Sequence, residues 1–183
     1  MLRKTLVLTF ALAFAIPAFA ADYTQSAGSS LTFAGSYQGE TFTGRFPGFV
    51  TRLSFDPKQL ATSKLDVTIP LATATTGVED FDGELHGSAF FNSPKFPQAR
   101  YTATKFRALG GNKFAADGTL SLRGISKPVT LMFTWTPGAK PVLAGKATVK
   151  RLDFGVGSGE WADTALLPND IAVSTKVVFA PVK

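Results

Sequence analysis

The sequence predicts an all-β domain: an antiparallel, up-and-down array of about eight strands with one short helix. Three observations predict it. Apolar and polar residues alternate with the strand period of two along most of the chain. The alternating runs are separated by hairpin-length turns, which make neighbouring strands antiparallel. Gly35, Gly44, Gly118 and Gly145 fall on the apolar rows, where glycine suits the bends of a barrel and leaves space inside it. A closed barrel and a two-sheet sandwich both fit such alternation; the glycines favour the barrel.

The elements follow in order. Leu31, Phe33, Gly35 and Tyr37 form the first inward row, and Phe42, Gly44 and Phe46 the second. Phe49, Thr51, Leu53 and Phe55 make the next, stopped by Asp56-Pro57. Leu65, Val67, Ile69 and Leu71 follow, with Pro70 marking a strand end or edge. Thr76-Gly-Val-Glu79 reads as a capping box opening a helix over Val78 to His86, with acidic residues near its start. Phe90-Phe91-Asn92 and Pro94 to Pro97 form an aromatic, proline-punctuated loop. Strands resume over Arg100–Phe106, Phe114–Leu122, Val129–Trp135, Leu143–Val149 and Ile171–Phe179. Leu109 to Asn112, Gly124 to Pro128 and Thr136-Pro137-Gly138 are the links between them, and Arg151 to Glu160 is a glycine-rich loop.

The start of the chain has another character. Arg3 and Lys4 precede an apolar run from Thr5 to Phe14, and Ala18-Phe19-Ala20 follows. This is the layout of a secretory leader, residues 1–20, cut after Ala20. The apolar run is too short, and too soon followed by small residues, for a transmembrane helix. The expected mature domain, residues 21–183, is large enough for one core and is expected in the periplasm. No cysteine stands at the cut, so lipid attachment there is excluded.

Composition removes whole classes of function. The chain has no Cys and one His, which excludes zinc fingers, thiol nucleophiles, iron–sulfur centres and multi-histidine metal sites. Of 19 Lys and Arg, Arg3 and Lys4 leave with the leader; 17 then face 13 acidic residues, a formal +4. That charge is dispersed, so nucleic acid is excluded as a partner. The outward rows carry Lys64, Asp66, Arg100, Lys113, Asp117, Arg123 and Lys146, which argues against a barrel facing lipid on its outside. Of 17 Phe, Phe10, Phe14 and Phe19 lie in the leader; the other 14 fill a core or line an apolar cavity.

Several phrases resemble the YceI-like family, over about Gly39 to Val178. They are Gly39-Glu-Thr-Phe42 followed by Phe55-Asp-Pro57, then Ala89-Phe-Phe-Asn-Ser-Pro-Lys-Phe-Pro97, then Gly118-Thr-Leu-Ser-Leu-Arg-Gly124-Ile-Ser-Lys-Pro-Val129, and Arg151-Leu-Asp-Phe-Gly-Val-Gly157. The chain departs from many members at Gly35 to Gly39, where they carry a His-containing segment. The resemblance implies a lipocalin-like barrel, periplasmic and non-enzymatic, holding a long isoprenoid or similar amphiphilic lipid in an apolar tunnel, with room for a homodimer and no cofactor or metal. An isoprenoid tail offers only apolar surface, and burying it gains about 25 cal/mol per Å². The tunnel residues expected from inward rows and family-like phrases are Phe33, Phe42, Phe46, Phe90, Phe91, Leu122, Phe133, Trp135 and Phe154. Each would equally serve an ordinary core, and an exported β-protein with a filled core and a stress-related or structural role is the alternative.

Three weaker signals are set aside. Gly155-Val-Gly157-Ser-Gly159 lacks the spacing and βαβ context of a dinucleotide loop and reads as a flexible loop. His86 reads as a solvated residue on the acidic helix. Asp80, Asp82 and Glu84 do not complete a calcium loop. No nucleophile, base and orienter stand out, so no catalytic residue is expected. Amino-terminal sequencing of the exported protein is expected to begin at Ala21; a start at Met1 in an extracytoplasmic fraction would refute the leader.

Overall fold

Ten antiparallel segments build one wall. The structure, a computed structural model, describes residues 20–182. The leader expected over residues 1–20 therefore lies, Ala20 apart, outside the described residues. Among the described residues the strands are β1 (Ala21–Gln25), β2 (Ser30–Tyr37), β3 (Glu40–Arg45), β4 (Val50–Phe55), β5 (Lys64–Pro70), β6 (Gln98–Gly110), β7 (Lys113–Leu122), β8 (Ile125–Thr136), β9 (Val142–Lys150) and β10 (Asp170–Pro181), with one α-helix, α1 (Glu79–His86).

Strands β1, β4, β5, β6, β7, β8, β9 and β10 follow one another round a ring, which closes where β10 pairs with β1. The wall is thus a closed eight-stranded antiparallel barrel, and the sandwich is excluded. The remaining hairpin, β2 and β3, lengthens it. β2 pairs with β10 at Ala172–Lys176, and β1 pairs with β10 farther along, at Phe179–Pro181. Since β2 pairs with β3 and β1 with β4, each couple behaves as one interrupted strand. β1 escapes the period-two reading because its inward positions carry only one ring, Tyr23, and a polar Gln25. Two hairpins turn through two residues, Gln38-Gly39 and Arg123-Gly124, with φ of 52° and 85° and of 53° and 77°. Positive φ at both centres matches the right-handed twist of the flanking strands.

Helix α1 does not start on the expected capping box. Val78 takes the N-cap position and no side chain caps it. Asp82 reaches back instead, accepting from Thr75 Oγ1 at 2.6 Å, Thr76 N at 2.6 Å and Thr76 Oγ1 at 2.7 Å. Desolvation pushes the Asp82 carboxyl upward, but these donors and the Gly77 amide outweigh it and hold its pKa at about 2. The segment before the helix is tied to the barrel by a bridge between Arg45 and Thr75. The helix then turns Leu85 inward over one end of the barrel.

The other end is filled with rings. Phe55, 1 % exposed, sits with ring centroids 5.8 Å from Phe106, 5.2 Å from Phe114, 5.6 Å from Phe133 and 5.1 Å from Trp135. Tyr23 and Phe179 complete this plug against Trp135, at 5.3 and 6.0 Å. Edge-on packing of so many rings excludes water and adds to their burial energy. Outside, charged rows pair across strands, as in Arg107 to Asp117 at 2.6 Å, and such exposed pairs contribute little.

Two outcomes follow. Phe55→Ala empties the centre of the plug, which costs about 3–5 kcal/mol and lowers Tm by about 10 °C in a domain of this size; a thermal melt followed by circular dichroism reads it. Asp82 has a depressed pKa, so its stabilisation is complete above about pH 4 and lost as pH falls towards about 2. Asp82→Asn is therefore expected to lower Tm at neutral pH and to flatten the fall of Tm between about pH 4 and 2. Asp117, held at about 2 by Arg107 and Thr130, titrates in both proteins and cancels in the comparison. An unchanged slope would count against this role of Asp82.

Candidate ligand-binding cavity

Above the aromatic plug the barrel is hollow. The cavity has a volume of about 200 Å³. One water needs about 10–15 Å³ of such space, so this is far more than a packing defect. Its wall is aliphatic and aromatic, from Leu31, Val67, Ile69, Leu131, Val149, Ile171, Val173 and Val177 to Leu71 and Leu85. Thr51, Tyr101, Arg151 and Thr175 are its polar residues, and their polar atoms are turned almost wholly away from the space. The Tyr101 hydroxyl donates to the Ala116 carbonyl at 2.7 Å, with that of Val129 at 3.1 Å, and burial pushes its pKa well up. Tyr101 therefore stays neutral and its proton is engaged.

Of the nine residues expected from the sequence, Phe33, Phe42, Phe46, Phe90, Phe91 and Leu122 come together on this wall. Phe133 and Trp135 do not: both belong to the plug. Phe154 does not either; it is 2 % exposed in the turn Arg151–Phe154 after β9, and is absent from the wall. All three lie on inward or family-like positions, but sequence alternation reports facing and not depth along the axis. The aliphatic majority of the wall was legible as inward rows; the ring count drew attention to Phe instead.

The inward glycines also differ from expectation. They are not empty space but seats for rings and side chains across the sheet. Gly44 lies opposite Phe33, whose ring occupies the place a Cβ would take. Gly35 lies opposite Phe42, whose ring comes within 2.7 Å of that place. At Gly118 a Cβ would fall 2.6 Å from the Tyr101 ring, and at Gly145 2.9 Å from Leu131 Cδ1. The hollow lies along the aliphatic rows, and none of these glycines is on its wall.

One buried cation organises the mouth. Arg151 is 3 % exposed. Its guanidinium donates to the carbonyls of Pro168, Val156, Gly157, Trp161 and Leu167 at 2.5–3.1 Å. Burial draws its pKa below the ordinary arginine value, and the five carbonyls supply the compensation a buried charge requires. The glycine-rich loop is thus wrapped on Arg151 and is not a loose one: at Gly157, φ +64°, a Cβ would meet Arg151 Nη1 at 2.6 Å. Arg123, from the β7–β8 turn, donates to the carbonyls of Ala89 and Phe90 and fixes the aromatic loop. Trp161 then lies between Phe90 and Tyr37, with centroids at 5.3 and 5.7 Å. Outside these rings is a second, smaller pocket of about 150 Å³, bounded by Tyr37, Glu160, Trp161, Asp163, Leu166 and Leu167. His86 is not simply solvated: it is half-buried, with Nε2 2.8 Å from the Ala74 carbonyl, so its role is to tie the helix to the preceding turn.

This arrangement has close counterparts. The model of the YceI-like domain matches residues 23–179. A UPF0312 protein of Vibrio campbellii is 30% identical over 182 residues, covering 90% of this chain and 96% of that protein. One from Vibrio vulnificus is 34% identical over the same shares. Among solved structures, BcnA of Burkholderia cenocepacia superposes with a TM-score of 0.80 at 27% identity, covering 83% of this chain and 96% of that one. A polyisoprenoid-binding domain from Saccharophagus degradans has the same fold, with a TM-score of 0.68 at 14% identity over 89% of this chain and 99% of that one. The match of the family model across nearly the whole barrel, together with these relatives, means that the chain belongs to the YceI-like family.

Proposed function

We propose that this protein is a non-enzymatic carrier or scavenger of a long-chain isoprenoid or similar amphiphilic lipid, working in the periplasm. The observation that carries the reading is the cavity: about 200 Å³, walled by apolar side chains and stopped at one end by rings. Such a site gains energy by removing apolar tail from water and needs few polar contacts. A filled core leaves no such space. Its one cation, Arg151, is engaged by backbone carbonyls, so it shapes the mouth and is not poised for chemistry. The isoprenoid class is supported by the polyisoprenoid-binding domain that shares this fold. Export is supported by the leader-like start of the chain, and since β1 begins at Ala21, a cut after Ala20 would spare every strand residue.

Native mass spectrometry of the wild-type protein purified from periplasm is expected to show a retained lipid mass. Ala147 is a small residue of the cavity wall. Ala147→Phe is expected to abolish lipid retention while Tm shifts by only a few degrees, because the new ring enters vacant space. In a solid interior the same ring would cost about 1–3 kcal/mol by overpacking. A wild type without lipid, and a variant with a large loss of Tm, would refute the carrier.

A further inference from the structure

The cavity ends where rings begin, and it does so on several strands at once. On β10 the inward row runs Ile171, Val173, Thr175 and Val177 along the cavity and then Phe179 in the plug. On β8, Leu131 faces the cavity and Phe133, the next inward residue, belongs to the plug. On β4, Thr51 faces the cavity, and Leu53 and Phe55 lie below it, 2 % and 1 % exposed. Leu143 of β9 lines the cavity and pairs across the sheet with Trp135 of the plug. The cavity therefore has a closed floor, made of side chains packed on rings. That floor offers hydrocarbon, since the Thr51 oxygen is itself buried. Carboxylates stand at the opposite end, where Glu160 and Asp163 border the outer pocket.

The strands also fix the depth. The wall row of β10 runs from Ile171 to Val177, and that of β9 from Leu143 to Val149. Either row spans about 20 Å of strand, and a tilt of about 40° leaves about 15 Å along the barrel axis. An extended chain advances about 1.2 Å per bond, as a stretched polypeptide does, so about 12 bonds fit in line, the length of about three isoprene units. Each methylene buried against the wall raises affinity about fourfold. Once the tip of the tail meets the plug, a further methylene stays in water and adds nothing. We infer that the plug is a length gauge for the bound tail, and that Leu131 and Leu143 are the specificity-determining residues that set it. The lipid enters tail first, its terminal units fill the barrel, and everything beyond them stays at the mouth with the head group. This rests on the carrier reading and adds to it which part of the lipid is held, and how much of it.

The test uses straight-chain primary alcohols from octanol to octadecanol, which share one head group and differ by single methylenes. Each displaces an apolar fluorescent probe from delipidated wild type, Leu131→Phe and Leu143→Ala, all three checked for folding by thermal melts. In wild type the affinity is expected to rise about fourfold per methylene up to about 12 carbons and then to level off. Leu131→Phe reaches about two bonds farther over the floor and should bring the break to chains about two carbons shorter. Leu143→Ala withdraws about two bonds and should move the break about two carbons longer. The slope below the break should stay that of wild type in both, and either variant decides the matter if the other fails to fold. A break at the same length in every folded protein overturns the gauge and leaves the carrier intact. So does an affinity that climbs to octadecanol in wild type, or a loss in Leu131→Phe that is equal at every chain length. Failure of wild type to bind any of the alcohols overturns the carrier reading and this inference with it.

Discussion

Closing eight strands into a ring fixes the interior at a width that side chains can just fill or one slender ligand can occupy. Everything else in this protein follows from how that width is used. At the β1 and β4 end the strands send in Tyr23, Phe55, Phe106, Phe114, Phe133, Trp135 and Phe179, and the interior is solid. Towards the other end the same strands send in branched aliphatic residues and the interior is hollow. One barrel therefore holds both its folding core and its cavity, stacked along a single axis. The plug makes the cavity affordable, because stability is concentrated where no ligand has to go.

The open end presents the opposite problem. Loops there carry backbone carbonyls close to an apolar space, where unsatisfied polar groups are costly. Two arginines answer it. Arg151 gathers five carbonyls from the loop after β9, and Arg123 gathers those of Ala89 and Phe90. Each uses the fan of guanidinium donors as a staple for the chain. The result places Phe90, Trp161 and Tyr37 in contact between the cavity and the outer pocket. A lysine at either place could not reach several carbonyls in one plane.

Much of this was legible along the chain. Alternation in Leu65-Asp-Val67-Thr-Ile69 or Phe133-Thr-Trp135 states which side faces in. It does not state height, so Phe133 and Trp135 look like cavity residues and lie in the plug, whereas Val149 and Ile171 are wall. Local signals misled where a distant group took over. Thr76 and Glu79 have the spacing of a capping box, yet Asp82 makes the contacts. Gly155 to Gly159 reads as loose chain, yet Arg151 organises it.

By itself the sequence determined the strand period, the antiparallel order, the short helix, the family and the apolar character of the interior, because each is written in residues near one another or in composition. The tertiary structure alone decided that Phe55, Phe133 and Trp135 meet in one plug and that Leu31, Val67 and Ile171 meet on one wall. Those facts depend on the stagger between strands that closure imposes. The stagger joins residues far apart in the chain, and no local pattern records it.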